Sequence, residues 1–295
     1  MTPAAVAPSG PTVAMALRAA GDTLVRAGLA TGRQDAEALL THALGTTRLG
    51  LYTTGAARVP EPARGAFDAL VARRARHEPV QYLLGEVEFC GLRLELGPGV
   101  FIPRPETEGL VDRALALGLP DAAVVVDLCT GSGAIACALA ARQPGWTVWA
   151  VEQAAPAAEC ARANVRRLGL EGCVRVREGD LFAPIGDAVA AQGVDLVVAN
   201  PPYLATPLLA TLPVEVRDWE PRAALAGGSD GLDVVRRLLA AAPGWLRPGG
   251  ALLVEIGEEQ GPAARALVAA DVRYPESCVH RDFHGCERVL EARSR

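Results

Sequence analysis

The sequence predicts an α/β protein: a mostly parallel, doubly wound sheet with helices on both faces, preceded by a small helical domain and a connecting β-hairpin. Three observations carry that prediction. Residues 12–77 show helical periodicity alone, the apolar period changes to two at Glu86, and beyond residue 120 short apolar runs alternate with helical segments. Such alternation builds parallel strands joined by crossover helices. The expected boundaries are a helical domain over 1–84, a hairpin linker over 85–108 and an α/β domain over 109–295.

The elements follow in chain order. Val13, Leu17, Leu24 and Val25 sit at near-helical spacing, as do Ala36, Leu39, Leu40, Ala43 and Leu44. A third helix starts at Pro62, a residue suited to a first turn, and carries Phe67, Leu70 and Val71 inward. Arg73, Arg74 and Arg76 load its C-terminal end, where cations complement the helix dipole, and are expected on a solvated face. His42 and His77 are expected as surface or capping residues of these helices. Val87 and Phe89, then Leu92, Leu94 and Leu96, alternate with polar residues around Cys90-Gly91. That is a hairpin pattern, with a less usual turn than Asn-Gly. Gly97-Pro98-Gly99 breaks the chain before the next helix. Strands are expected over 122–128, 147–151, 174–177, 195–199 and 251–256. Helices are expected over 134–142, 156–168, 231–242 and 260–270, and a terminal hairpin over 277–292.

Composition narrows the function. Half of the 295 residues are hydrophobic, enough to offset the ordering entropy of most of the chain. A net charge of −5 argues against a general nucleic-acid binder, so no direct DNA binding is expected. Seven cysteines without a CxxC pair point to reduced thiols and a cytoplasmic setting. Residues 1–11 lack the basic start and long apolar run of a signal peptide. The longest uncharged run, 196–214, contains Asn200 and four prolines and cannot span a bilayer as a helix, so no membrane association is expected.

Ligands of such folds bind beyond the carboxyl ends of the strands. The first strand ends in Asp127-Leu128-Cys129-Thr130-Gly131-Ser132-Gly133, the second in Glu152, the third in Gly179-Asp180-Leu181 and the fourth in Asn200-Pro201-Pro202-Tyr203. Acids closing three neighbouring strands suit a ligand bearing hydroxyls and amines. One after the second strand can accept from a ribose diol, and one after the third from an adenine amine. The complete G-x-G-x-x-G is absent, because Cys129 holds the first glycine's place, and a pyrophosphate site is disfavoured. Ordinary turn glycines and capping acids would account for these pieces singly. Asn200-Pro201-Pro202-Tyr203 is sharper: two prolines fix φ and lack N–H groups, which makes a stiff corner with free carbonyls beside an amide side chain.

These residues resemble the class I S-adenosylmethionine-dependent methyltransferases that act on planar nitrogens. Pro79-Val80-Gln81-Tyr82-Leu83-Leu84-Gly85, Phe101-Ile102-Pro103-Arg104-Pro105-Glu106-Thr107-Glu108 and Glu220-Pro221-Arg222-Ala223-Ala224-Leu225 narrow the resemblance to the HemK/PrmC family, over residues 15–292. The resemblance implies the class I methyltransferase fold with a seven-stranded sheet. It also implies methyl transfer from S-adenosylmethionine, leaving S-adenosylhomocysteine, to the side-chain amide nitrogen of the glutamine in the Gly-Gly-Gln loop of peptide chain release factors. By it, Asp127, Cys129, Thr130, Gly131, Ser132 and Gly133 border the cofactor, Glu152 takes its ribose, and Asp180 with Leu181 its adenine. Phe101 and Arg104 close over cofactor and substrate; an ion pair from Arg104 to Glu106 or Glu108 is the alternative. Asn200, Pro201, Pro202 and Tyr203 hold the acceptor amide, Asn200 also bordering the cofactor.

Two departures from the family pattern matter. Cys129 stands where glycine is usual, so a positive φ there would weaken binding. Glu152 replaces the commoner aspartate, one methylene shorter.

Other readings are methylation of another planar nitrogen, such as adenine N6, guanine N2 or a glutamine of another protein, and a non-catalytic binding module that kept the fold. Cys278, His280, His284 and Cys286 read as same-face hairpin neighbours, and no metal is expected. The helical domain is expected to dock the protein substrate, and the chain to act as a monomer.

Overall fold

The computed structural model describes residues 10–295, apart from the side chains at 187, 188 and 191. The expectation of no signal peptide over 1–11 falls mostly outside these residues. The chain divides into two compact units, Met1–Gly85 and Glu86–Arg295.

The first unit is helical: α1 (Val13–Arg26), α2 (Gly32–Leu44), α3 (Arg48–Thr53), α4 (Glu61–Arg74) and α5 (Val80–Leu84). The Thr12 hydroxyl caps α1 by accepting from Met15 N at 3.3 Å. A Cβ at Gly32 would lie 2.8 Å from Val25 N, so glycine permits the close crossing of α1 and α2. Leu24, Leu39, Leu40, Leu51 and Phe67 form the core. One expectation fails here. Arg74 is 2% exposed, and its Nε donates to Asp35 at 2.7 Å while Nη1 donates to the Glu78 carbonyl at 3.1 Å. A buried carboxylate on α2 demanded that partner, and helical periodicity cannot show it. Arg73 remains half-exposed and paired with Glu78, and Arg76 is exposed. His42 is exposed on α2, whereas His77 lies in the turn after α4 at φ 64° rather than in a helix.

The second unit opens with the hairpin β1 (Glu86–Phe89) and β2 (Leu92–Glu95), paired from Glu86↔Glu95 to Phe89↔Leu92. Cys90 and Gly91 turn it with φ of 51° and 77°, the backbone a two-residue hairpin needs. A 3-10 turn, Pro105–Thr107, leads into α6 (Glu108–Leu115).

The order then runs β3 (Val124–Leu128), α7 (Ala134–Arg142), β4 (Thr147–Glu152), α8 (Ala155–Arg167), β5 (Val174–Glu178), α9 (Asp187–Gln192) and β6 (Val194–Ala199). After α10 (Val214–Arg217) and α11 (Asp233–Ala241) come β7 (Leu246–Glu255), α12 (Gly261–Ala269), β8 (Glu276–Arg281) and β9 (Glu287–Arg293).

Seven strands form one sheet in the order β5-β4-β3-β6-β7-β9-β8. The pairs from β5 to β7 are parallel, and β9 runs antiparallel against both β7 and β8. Successive residues of β3 feed opposite cores: Val125 belongs to the one that includes Ile135, Leu139 and Leu253, and Val126 to the one that includes Leu238, Leu252 and Val268. Burial on both faces is why these strands read as continuous apolar runs. The strand order reverses between β3 and β6, and the crevice beyond that switch is where this fold class binds ligands.

Among the described residues, no helix is long and apolar enough to cross a membrane.

Candidate functional site

A cavity of about 550 Å³ opens at that switch point, within the usual size of small-molecule sites. The register sets its floor. Leu128 pairs with Ala199, so the loop after β3 and the Asn200 corner after β6 leave the sheet side by side.

The β3 loop is shaped by its own hydrogen bonds. Asp127 is fully buried; its Oδ2 accepts from the Thr130 hydroxyl and from Ala136 N at 3.1 Å. Burial pushes this carboxyl up to about 7, against the pull of those two bonds. Thr130 N donates to Val151 O at 3.0 Å, tying the loop to β4. Cys129, Gly131 and Gly133 all have positive φ, of 59°, 58° and 81°. Cys129 therefore holds a left-handed conformation that favours glycine, the condition under which the sequence foresaw a cost. Its thiol is held protonated, by burial first and then by the nearby acids.

Glu152 stands at the end of β4. Its Oε2 accepts from Gly131 N at 2.9 Å and its Oε1 from Ala154 N at 2.8 Å. Asp180, beyond β5, is paired with Arg237 of α11. Leu181 beside it has φ 46°. Tyr203 O, at the end of the Asn-Pro-Pro-Tyr corner, accepts from Gln260 Nε2 at 2.9 Å. Burial raises the Tyr203 phenol to about 12, so it stays neutral.

Arg104 lies 4.7 Å from the Phe101 ring centroid and ion-pairs with Glu220, not with Glu106 or Glu108. Glu220 also accepts from Ile102 N at 3.2 Å, which joins the segments around 101–108 and 220–225 although 118 residues separate the partners. Burial raises the Glu220 carboxyl, and Arg104 opposes it.

Phe101, Arg104, Cys129, Thr130, Gly131, Ser132, Glu152, Asp180, Leu181, Asn200, Pro201, Pro202 and Tyr203 all line the cavity. Two expected residues do not. Asp127 lies buried beneath the loop, and Gly133 serves helix packing, since a Cβ there would approach Ala161 Cβ to 3.2 Å. The sequence reading missed Thr107, Leu212, Val216 and Arg237, which also line it. Thr107 sat inside a segment already singled out. The others follow no local pattern.

Elsewhere, Cys278, His280 and Glu291 bring their ligand atoms within 4.8 Å of one another. Glu291 Oε2 is already held by Arg113 at 2.6 Å and by His280 at 2.8 Å, and a guanidinium disfavours a cation beside it. His284 and Cys286 do not join the cluster.

Comparison with known proteins agrees with this architecture. Residues 15–85 match the PrmC N-terminal domain, and residues 107–210 the methyltransferase small domain. The chain is 43% identical to the release factor glutamine methyltransferase of Geobacter sulfurreducens over 270 residues, covering 92% of each chain. It is 44% identical over 278 residues to the release factor glutamine methyltransferase of Mycolicibacterium smegmatis, covering 94% of this chain and 96% of the relative. A methyltransferase from Pyrococcus furiosus shares the fold at a TM-score of 0.50 and 20% identity, over 69% of this chain and 89% of its own. With a class I methyltransferase fold and relatives aligned along nearly its whole length, the chain belongs to the release factor glutamine methyltransferase family.

Proposed function

We propose that this protein transfers a methyl group from S-adenosylmethionine to the side-chain amide nitrogen of the glutamine in the Gly-Gly-Gln loop of peptide chain release factors. The observation that carries the reading is that the Asn200–Tyr203 corner and the carboxylates Glu152 and Asp180 line one cavity.

The donor set fits the cofactor. Glu152 and Asp180 suit ribose hydroxyls and an adenine amine, and the acids suit a cationic sulfonium. Arg104 and Arg237 are both neutralised by carboxylates, so the cavity offers no unpaired guanidinium to a phosphate. S-adenosylmethionine, when bound, supplies an electrophilic methyl group and leaves as S-adenosylhomocysteine. No metal ion is required by this chemistry.

The protein's part is to present a weak nucleophile. An amide nitrogen has its lone pair delocalised into the carbonyl, and no histidine lines the cavity to serve as a base. The Asn200 side-chain oxygen and the Pro201 carbonyl accept the two N–H bonds and fix the direction of the nitrogen. As the nitrogen attacks, its N–H bonds grow more acidic, so these acceptors hold the transition state more strongly than the ground state. The Tyr203 ring packs on the flat amide and excludes water.

The helical unit is proposed to dock the release factor, supported by its match to the PrmC N-terminal domain and by exposed Met15, Leu49 and Tyr52. The chain is proposed to work as a cytoplasmic monomer.

The test is transfer of labelled methyl to a release factor, beside a variant whose Gly-Gly-Gln glutamine is replaced. Label on the wild-type factor alone is the expected result. Equal labelling of both, or labelling of nucleic acid alone, would overturn the proposal.

A further inference from the structure

The Asn200–Tyr203 corner has few donors of its own with which to fasten itself. Pro201 and Pro202 carry no N–H, so the chain leaving β6 donates nothing to a neighbour at either position. The residues that follow supply the attachment. Leu204 forms a parallel bridge with Ala226: its N–H donates to Leu225 O at 2.9 Å, and its carbonyl accepts from Gly227 N at 2.8 Å. Tyr203 O accepts instead from a side chain, that of Gln260, at 2.9 Å.

Gln260 stands partly buried at the start of α12 and lines no part of the cavity. Its carboxamide binds the backbone of three separate segments. Nε2 donates to Tyr203 O and, at 3.2 Å, to Asp230 O in the loop before α11, while Oε1 accepts from Gly257 N just beyond β7 at 2.8 Å. Gln260 N in turn donates to Gly257 O at 2.9 Å, so residues 257 and 260 close a ring that holds the side chain still. Two donors meet two carbonyls and the oxygen meets an N–H. Rotated by half a turn, the amide would set its oxygen against two carbonyl oxygens. The loop it reaches is also fixed. The Asp230 carboxylate accepts from Leu232 N at 3.1 Å and from Arg236 Nη1 at 3.0 Å, and a Cβ at Gly231 would collide with Tyr203 O.

We propose that Gln260 is a positioning residue, a clasp that fixes the corner by its Tyr203 carbonyl and so aims the Asn200 amide oxygen and the Pro201 carbonyl at the substrate amide. This rests on the function proposed above. The bonds of the clasp use neither of those two acceptors, and Gln260 touches no reacting atom. A misplacement of about 1 Å at such acceptors costs on the order of 100-fold in rate, so a loosened corner is felt in turnover. Glu152 and Asp180 are held by other partners, which leaves cofactor binding independent of the clasp.

The experiment measures kcat on a release factor and S-adenosylmethionine Kd for the full chain and for Gln260→Ala, Gln260→Glu, Asn200→Ala and the double variant Gln260→Ala/Asn200→Ala. The expected kcat is about tenfold lower in Gln260→Ala, the scale of one directed hydrogen bond in the transition state, with cofactor Kd within about threefold. Gln260→Glu should lose at least as much rate, although its side chain has the same length. It keeps the acceptor for Gly257 but turns a carboxylate oxygen toward two carbonyls. In the Asn200→Ala background the Gln260→Ala loss should shrink to about threefold or less, because residues acting through one unit are not additive. A Gln260→Glu enzyme at wild-type rate, a loss shared equally by cofactor Kd, or a tenfold loss undiminished in the Asn200→Ala background overturns the clasp. A wild-type enzyme that leaves the release factor unlabelled overturns the function reading and the clasp with it, whereas labelling that is indifferent to Gln260 overturns the clasp alone.

Discussion

Glu152 at the end of β4 accepts the backbone N–H of Gly131, 21 residues earlier, at 2.9 Å, and so ties the loop after β3 to the neighbouring strand. Its second oxygen accepts from Ala154 N at 2.8 Å. The extra methylene relative to aspartate gives this carboxylate its reach, and in the proposed function the same group takes the ribose hydroxyls. On that proposal, loop shape and cofactor recognition share one side chain.

Glu152→Ala should raise the S-adenosylmethionine Kd by about 10- to 100-fold, the scale of one or two charge-assisted hydrogen bonds. The rate at saturating cofactor should change much less. Calorimetric titration beside saturation kinetics separates the two effects.

Asn200→Ala should do the reverse. Cofactor Kd should stay within about threefold, while turnover should fall by about 100-fold or more, since only the transition state uses its oxygen fully. Single-turnover methyl transfer is the measurement, and near-normal turnover would refute the assigned role.

Cys129→Gly should stabilise the protein. Cys129 sits at φ 59°, where a Cβ costs about 1–2 kcal/mol, and glycine's greater unfolded freedom returns part of that. A net gain near 0.5–1 kcal/mol corresponds to about 1–4 °C in Tm for a chain of this size. Cofactor affinity should hold or improve. A lower Tm in scanning calorimetry would mean that the thiol's packing outweighs the strain.

Stability should decline as pH rises from about 4 to about 7. Burial raises Asp127 and Glu255 to about 7 in the folded protein, above their ordinary values of 3.8 and 4.5. The unfolded chain therefore releases these protons first, and the stability they confer, complete below about pH 4, is lost as pH passes 7. Acids held low, such as Asp230 and Asp271, act in the opposite sense below this window. Urea midpoints at pH 5 and 8 test this. Asp127→Asn should shrink the difference between them.

Arg74→Ala should destabilise the helical unit by about 3–5 kcal/mol, because Asp35 would be left as an uncompensated buried charge. Circular dichroism melts of the full chain would show the helical transition moved down. An unchanged melt would mean that solvent reaches Asp35.

The residues carry two kinds of information, and they were unequally readable. Local periodicity and turn chemistry follow from neighbours a few positions apart, so α1, α2 and α4, the Cys90-Gly91 hairpin and the buried strands were legible, most of the strand ends to within a residue or two. One exception is the start of β7 at Leu246, five residues before the expected 251, where Arg247-Pro248-Gly249-Gly250 hides the strand. The short helices α3, α5, α9 and α10 carried too weak a pattern to be read.

At the site, the acids and the Asn-Pro-Pro-Tyr corner were legible because the sheet must deliver each strand end to one edge. The partners that orient them were not. Glu220 reaches Arg104, Arg237 reaches Asp180 and Thr107 reaches Asn200 across 116, 57 and 93 residues. Asp127, expected to border the cofactor, lies buried beneath its loop and holds it through Thr130 and Ala136. By itself the sequence determined the strand ends and the chemistry they bear, since backbone and periodicity fix both locally. Only the tertiary structure decided which buried charge meets which counter-group. That choice depends on removing both from water together, and no spacing along the chain encodes such a meeting.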